Sequence, residues 1–387
     1  VDCPSGLDLD TARWPVPFEN KDKNKLPWKN AAASADLTVT FHAPKLGHYL
    51  QLGPTLCGRL EVVDIGLANF GLARAMLGMG PDPEHARLID PKIGDDPMPF
   101  SFWPAQCLSK PGPSGHKYNH GHVIVFAGGV GRGGAARLAA RAALRCGAGL
   151  VTVVCPPAAL IENACQLNAI MLRALAKDAP LTEVADHRVS AFCLGPGMGV
   201  SEQTRHRAIE ILARRAEGFA HRDPAVVLDA DALTSFEDRP EALFEHTHAR
   251  CVLTPHEGEF ARLFPDIADA LRTRISKVDA ARRAADRAGC IILLKGPETV
   301  IAQPGGGASV HSTGYGRAAP WLATAGAGDV LAGLIAGLAA PDTSGDLFAM
   351  TEVAAYLHVE AARSFGPGLI AEDLPEEIPK VFRDWGL

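Results

Sequence analysis

Asp329 ends a run of small residues, Thr324-Ala325-Gly326-Ala327-Gly328-Asp329, that leads straight into the apolar stretch Val330-Leu331-Ala332-Gly333-Leu334-Ile335-Ala336-Gly337-Leu338. The stretch predicts a buried helix, and the small residues before it let the backbone approach a ligand closely. Free N–H groups at a helix start, with the helix dipole behind them, form an anion site. An acid there repels a bound phosphate. That cost makes sense if Asp329 takes a proton from a hydroxyl attacking a phosphoryl group. The same residues also fit an ordinary helix N-cap after a glycine-rich turn, because Asp is a favoured capping residue.

The elements needed to carry such a loop follow residue 120. Short β-branched or apolar runs stand at 122–126, 150–154, 192–194, 226–228, 251–253 and 291–294, with helical stretches at 135–146, 201–216, 257–264 and 277–288. This alternation predicts an α/β fold with an open, doubly wound, mostly parallel sheet. Ligands bind beyond the carboxyl ends of strands in such sheets. Five loops there are unusual: Gly128-Gly129, Gly195-Pro196-Gly197-Met198-Gly199, Asp229-Ala230-Asp231, Pro255-His256-Glu257-Gly258-Glu259 and Lys295-Gly296.

Each loop has a chemical and a plain reading. Residues 195–199 can curl around a ligand or simply turn a strand into a helix. Residues 128–135, Gly-Gly-Val-Gly-Arg-Gly-Gly-Ala, can cradle a phosphate, but they do not match a P-loop. Arg137, Arg141 and Arg145 recur every four residues and read as a solvated or intersubunit face. His116, His120 and His122 have metal-like spacing without a nearby carboxylate or cysteine, so no metal site is expected there. His256 suits a substrate hydrogen bond and Glu259 a helix cap. Asp229 and Asp231 suit magnesium carried by a nucleotide, or a strand end and helix cap. Lys295-Gly296-Pro297-Glu298-Thr299 joins two strand-like runs, either as a loop over a nucleotide or as a plain hairpin.

At 387 residues the chain has room for two domains. Its 38 Lys+Arg against 44 Asp+Glu, without a basic run, argue against a nucleic-acid surface. Nine scattered cysteines without a CxxC pair read as reduced core residues, consistent with a cytoplasmic location. No apolar run reaches transmembrane length without breaks, so no membrane partner is expected. The opening, Val1-Asp2-Cys3-Pro4-Ser5-Gly6, looks like the interior of a domain. Strand-like runs at 37–41 and 60–65 are too few to close a core by themselves, and Pro/Gly-rich residues follow from about 78 to 120.

Taken in order, these motifs resemble the ADP-dependent NAD(P)HX dehydratases, a ribokinase-like family that repairs hydrated nicotinamide dinucleotides. The matching residues are His116-Lys117 with Gly121, Gly128-Gly129, Gly134-Ala135, 195–199, 228–233, Thr254-Pro255-His256 with Gly258-Glu259, Lys295-Gly296, 324–329 and 369–374. Residues 2–8, 35–41, Lys45 and 64–66 resemble the C-terminal part of a Rossmann-like NAD(P)HX epimerase domain. The resemblance therefore implies an epimerase fragment at 1–77, a linker at 78–104 and a dehydratase domain at 105–387. The departures are missing hydroxyl residues in 128–135, Pro297-Glu298 where Ala or Gly is commoner, and Glu257 in place of Pro.

The resemblance implies that ADP, or ATP, phosphorylates the hydroxyl of S-NADHX or S-NADPHX, after which phosphate leaves. Asp329 is the implied base and substrate contact, and Ala325, Gly326, Ala327 and Gly328 are the implied anion hole. Ala135, Gly197 and His256 would contact the dinucleotide; Lys295, Gly296, Pro297, Glu298, Thr299 and Gly328 would hold ADP or AMP, with Mg2+. Asp2 would touch the epimerase substrate and Ser5 would help bind K+. The family's Asn-Gly-Gly-Asp-Gly loop is absent from this sequence, so an inactive epimerase half is expected, along with a homo-oligomer. Two alternatives use the same anion loop. One is a ribokinase-like kinase of a small alcohol such as a vitamin precursor; the other is a catalytically dead nucleotide-binding module.

Overall fold

Strands in the middle of the central sheet are almost wholly apolar because both of their faces are covered. In the strand His122–Phe126, Val123 and Val125 join one buried cluster while Ile124 and Phe126 join the other, the two-residue period of a strand. The computed structural model describes residues 2–13, 33–66, 85–89, 108, 110, 116–214, 223–341 and 346–387. Its strands are β1 (Leu37–Phe41), β2 (Arg59–Val63), β3 (Arg87–Leu88), β4 (His122–Phe126), β5 (Leu150–Cys155), β6 (Met171–Ala174), β7 (Val189–Leu194), β8 (Ala225–Leu228), β9 (Cys251–Leu253), β10 (Ile291–Leu294), β11 (Glu298–Ala302) and β12 (Ala308–Ser312). Ten form one sheet in the order β3-β12-β11-β10-β9-β8-β7-β4-β5-β6. Only β11 runs antiparallel to its neighbours. The expected doubly wound, mostly parallel α/β sheet is therefore present.

The helices that shape the site are α1 (Gly134–Arg145), α2 (Glu202–Leu212), α3 (Asp231–Thr234), α4 (Glu257–Leu263), α5 (Lys277–Ala288), α6 (Ala327–Ala339), α7 (Leu347–Phe365) and α8 (Asp373–Asp384). Helix α6 is the buried helix expected after Asp329. It lies so close to α1 that a Cβ on Gly333 would sit 2.1 Å from the Ala139 carbonyl oxygen. Val330, Leu334 and Ile335 are fully buried beside that seam, each contributing roughly 1.5–3 kcal/mol of burial. Arg141 and Arg145 of the arginine row on α1 are exposed, as a solvated face requires. Arg141 and Arg145 both pair with Glu376 of α8, and Arg137 donates to Asn163 Oδ1 at 3.0 Å.

The N-terminal residues lean on this body. Strands β1 and β2 pair in parallel apart from the large sheet. Ala12 and Leu50 are buried in the core cluster that holds Ile124 and Phe192. Tyr315 Oη donates to the His48 carbonyl at 2.7 Å. Most of the expected linker at 78–104 lies outside the described residues, but Arg87–Leu88 within it extends the sheet against β12. Among the described residues no disulfide forms and no helix is long and apolar enough to cross a membrane.

Candidate active site

The five loops singled out in the sequence follow β4, β7, β8, β9 and β10, which are contiguous in the sheet and parallel to one another. Their carboxyl ends therefore open on one side, and α6 brings its N-terminus to the same place. Gly326 caps α6 with φ +92°, and a Cβ there would strike Leu138 Cδ1 at 2.7 Å and Ala371 Cβ at 2.9 Å. No residue with a side chain meets both demands. Ala371 belongs to the 369–374 motif, whose place in the fold is thus behind the anion loop. A Cβ on Gly328 would lie 3.5 Å from Lys295 Nζ and 3.9 Å from Asp229 Oδ2, so α6, the β8 loop and the β10 loop converge at this point.

Lys295 Nζ donates to Asp229 Oδ1 at 2.6 Å, and Thr254 Oγ1 donates to the same oxygen at 2.8 Å. Glu259 Oε2 lies 4.0 Å from Lys295 Nζ. Burial alone would pull the Lys295 pKa down, but Asp229, Glu259 and Asp329 outweigh it and hold the ammonium above its usual value. For Asp329 the balance runs the other way. Burial first, then the charges of Asp229 and Asp231, push its carboxyl up to about 7 against the opposing pull of Lys295. A carboxylate matched to neutral pH at a helix start is equipped for proton abstraction.

Asp231 is held differently: its Oδ2 accepts the Gly199 N–H at 2.8 Å, tying the β8 loop to the β7 loop. Between the two acids Ala230 takes φ +46° and ψ −118°, a conformation costly for a residue with a Cβ. In the β7 loop a Cβ on Gly197 would sit 3.7 Å from Ala135 Cβ, so the two expected substrate contacts are neighbours.

His256 is the N-cap of α4. Its Nδ1 accepts the N–H groups of Gly258 and Glu259 at 2.9 and 3.3 Å, and Glu259 Oε2 accepts the His256 N–H at 2.9 Å. This reciprocal cap assigns the proton to Nε2, which lies 3.5 Å from Glu259 Oε1 on an exposed ring. Glu259 thus links His256 to Lys295.

The 295–299 segment is a hairpin connection between β10 and β11. Gly296 and Pro297 are exposed at its tip. The Glu298 side chain is turned inward, with Oε1 3.6 Å from Lys277 Nζ. Any contact of Glu298 with a nucleotide is therefore through its backbone. Lys277, which sequence reasoning missed, is 2 % exposed and donates to the carbonyls of Lys295 and Glu298 at 3.2 and 2.9 Å. In an Ala/Arg-rich helix it reads as one more surface cation; only its burial reveals it as the support of this loop.

Among the described residues no group of three His, Cys, Asp or Glu side chains could hold a metal by itself. His122 Nε2 instead meets Thr152 Oγ1 at 2.8 Å. In the N-terminal segment Asp2 Oδ1 accepts from Thr40 Oγ1 at 2.9 Å with Lys45 Nζ at 3.9 Å, and Ser5 is exposed.

Residues 123–380, from β4 into α8, match the family described as NAD(P)H-hydrate dehydratase. The chain belongs to the NAD(P)H-hydrate dehydratase family. It is similar to proteins named bifunctional NAD(P)H-hydrate repair enzyme. The one from Moorella thermoacetica is 35% identical over 399 residues, which covers 99% of this chain and 66% of that protein. The one from Salinibacter ruber is 34% identical, covering 98% and 65%. The chain thus spans just under two thirds of these relatives. A crystal structure of the ADP/ATP-dependent NAD(P)H-hydrate dehydratase from Bacillus subtilis, co-crystallised with ATP and Mg2+, is 27% identical with a TM-score of 0.57, covering 72% of this chain and 94% of that one. As a dehydratase-family member, the chain has the ribokinase-like fold expected from the motifs.

Proposed function

We propose that this chain dehydrates S-NADHX and S-NADPHX in an ADP-dependent reaction that releases AMP and phosphate. The observation that carries the reading is Asp329, a carboxyl pushed up to about 7 at the N-terminus of a buried helix. In this mechanism Asp329 accepts the proton of the hydroxyl on the damaged ring while its oxygen attacks the terminal phosphorus of ADP and AMP leaves. Backbone N–H groups of Ala325, Gly326, Ala327 and Gly328 stabilise the charge on the transferred phosphoryl group. The C–O bond then breaks, phosphate departs, and loss of a proton from the neighbouring ring carbon restores the double bond. Ala135, Gly197 and the Nε2–H of His256 hold the dinucleotide. Lys295 and the 296–299 backbone hold the nucleotide beside Gly328.

Mg2+ binds typically through one or two carboxylates plus substrate phosphates. Asp229 suits it: Oδ1 is fixed by Lys295 and Thr254, and Oδ2 faces Gly328. Bound there with the nucleotide, the ion would shield phosphate charge. In the N-terminal segment we assign Asp2 to the epimerase substrate and Ser5 to K+. A homo-oligomer and a cytoplasmic location complete the reading.

The family match over residues 123–380 favours the dehydratase over a kinase of a small alcohol. The preserved Asp329 environment argues against a dead nucleotide-binding module. Incubating the purified chain with S-NADHX and either ADP or ATP, and following the absorbance of restored NADH, tests the reading. Nucleotide-dependent recovery of NADH is expected; phosphorylation of a small alcohol without NADH recovery would overturn it.

A further inference from the structure

The β4 and β7 loops meet where the proposed dinucleotide contacts lie. A Cβ on Gly128 would sit 1.8 Å from the Gly197 carbonyl oxygen and 2.9 Å from Arg132 Cβ, and one on Gly197 would sit 2.6 Å from the Arg132 carbonyl oxygen. From there the Arg132 side chain reaches over the β7 loop, with Nη1 3.1 Å from the place a Cβ on Gly199 would take. Gly199, at φ +87°, leaves the space that this guanidinium crosses. Arg132 is exposed, and among the described residues its side chain has no hydrogen bond or ion pair. The nearby carboxylates are engaged elsewhere: Glu162 Oε2 accepts the Gly131 N–H at 2.7 Å, and Asp231 Oδ2 accepts the Gly199 N–H at 2.8 Å.

Helix α1 connects these loops to the proposed base. A Cβ on Gly326 would lie 2.7 Å from Leu138 Cδ1 and 3.9 Å from Asp329 Oδ2. Leu138 and Ala135 are three residues apart on α1, on one face and about 4.5 Å apart along the axis. Ala135 in turn neighbours Gly197. The charge balance asks for a cation at the far end of this row. Asp229, Asp231, Asp329 and Glu259 gather around the site, while Lys295 is taken by Asp229. In residues 127–135 and 195–200 Arg132 is the one charged residue. We propose that Arg132 binds a phosphate group of the dinucleotide substrate, its planar fork on two phosphate oxygens. The dinucleotide runs from Asp329 past Ala135 and Gly197 and presents that phosphate to the guanidinium. For the substrate, this assignment rests on the dehydratase reading, which it deepens.

The products NADH and NADPH carry the same phosphates and serve as probes. Calorimetric titration of the full chain with each is expected to show affinity about tenfold or more weaker in Arg132→Gln, the loss of a charge-assisted bidentate contact. Arg132→Lys, which keeps the charge but not the fork, is expected to recover part of it. KM for S-NADHX and S-NADPHX is expected to rise in step, while kcat and the affinity for ADP stay within about twofold. Equal losses for NADH and NADPH assign the diphosphate; a loss confined to NADPH assigns its 2′-phosphate. A folded Arg132→Gln that binds both dinucleotides as the unaltered chain does, or that loses ADP affinity equally, overturns the proposal. So does an unaltered chain that binds neither dinucleotide. If the unaltered chain restores no NADH from S-NADHX, yet its binding of NADH or NADPH depends on Arg132, the dehydratase reading fails and the phosphate contact stands.

Discussion

Lys295 Nζ stands 2.6 Å from Asp229 Oδ1, and Asp329 lies in the field of both side chains. The pair tunes a working pH of the proposed base that burial does most to set. Burial and then Asp229 raise the Asp329 pKa to about 7, while Lys295 restrains it. The acid limb of kcat/KM for S-NADHX is therefore expected near pH 7, falling about tenfold per pH unit below it. Lys295→Gln removes the restraint and should move the limb to higher pH; Asp229→Asn should move it lower. Initial rates across a pH series check both, and a limb near the usual carboxylate pKa in all three proteins contradicts the assignment.

The same carboxyl should weaken the fold when ionised. Folded Asp329 keeps its proton up to about pH 7, while an unfolded aspartate releases it near 3.8. Between those values the folded state binds more protons, so this contribution falls as pH rises and stays unfavourable above pH 7. With about 1.4 kcal/mol per pKa unit, Asp329→Asn is expected to gain up to a few kcal/mol in urea denaturation well above pH 7. The gain should vanish in acid, and a pH-independent difference would count against the buried ionisation.

His256 serves two roles that substitution can separate. His256→Ala removes both the cap and the imidazole, costing roughly 0.5–2 kcal/mol of stability and raising the KM for NADHX. His256→Asp restores a capping oxygen and should recover the stability without the KM. If KM returned along with stability, the imidazole would have no binding role.

How much of this was legible in the sequence differs from element to element. The five loops could be assigned to one edge because parallel strands must all end on the same side. The Asp329 loop stood out because an acid sits where a helix start favours anions. Strand β12, Ala308–Ser312, was missed because Ser309, His311 and Ser312 carry no apolar signal, although all are buried. Strand β6 was missed for its exposure, since most of Met171–Ala174 faces solvent. The Asp229–Lys295 pair spans 66 residues of sequence, and no local pattern connects them. Lys277 was hidden for the opposite reason: its local pattern is that of a surface helix.

The most direct test is the rate of ADP-dependent conversion of S-NADHX to NADH by Asp329→Asn, measured beside the unaltered chain at saturating nucleotide. Loss of a general base predicts a kcat lower by about 10²–10⁴-fold, with the protein still folded and still binding ADP. A folded Asp329→Asn variant that turns over at a rate near that of the unaltered chain would contradict the account.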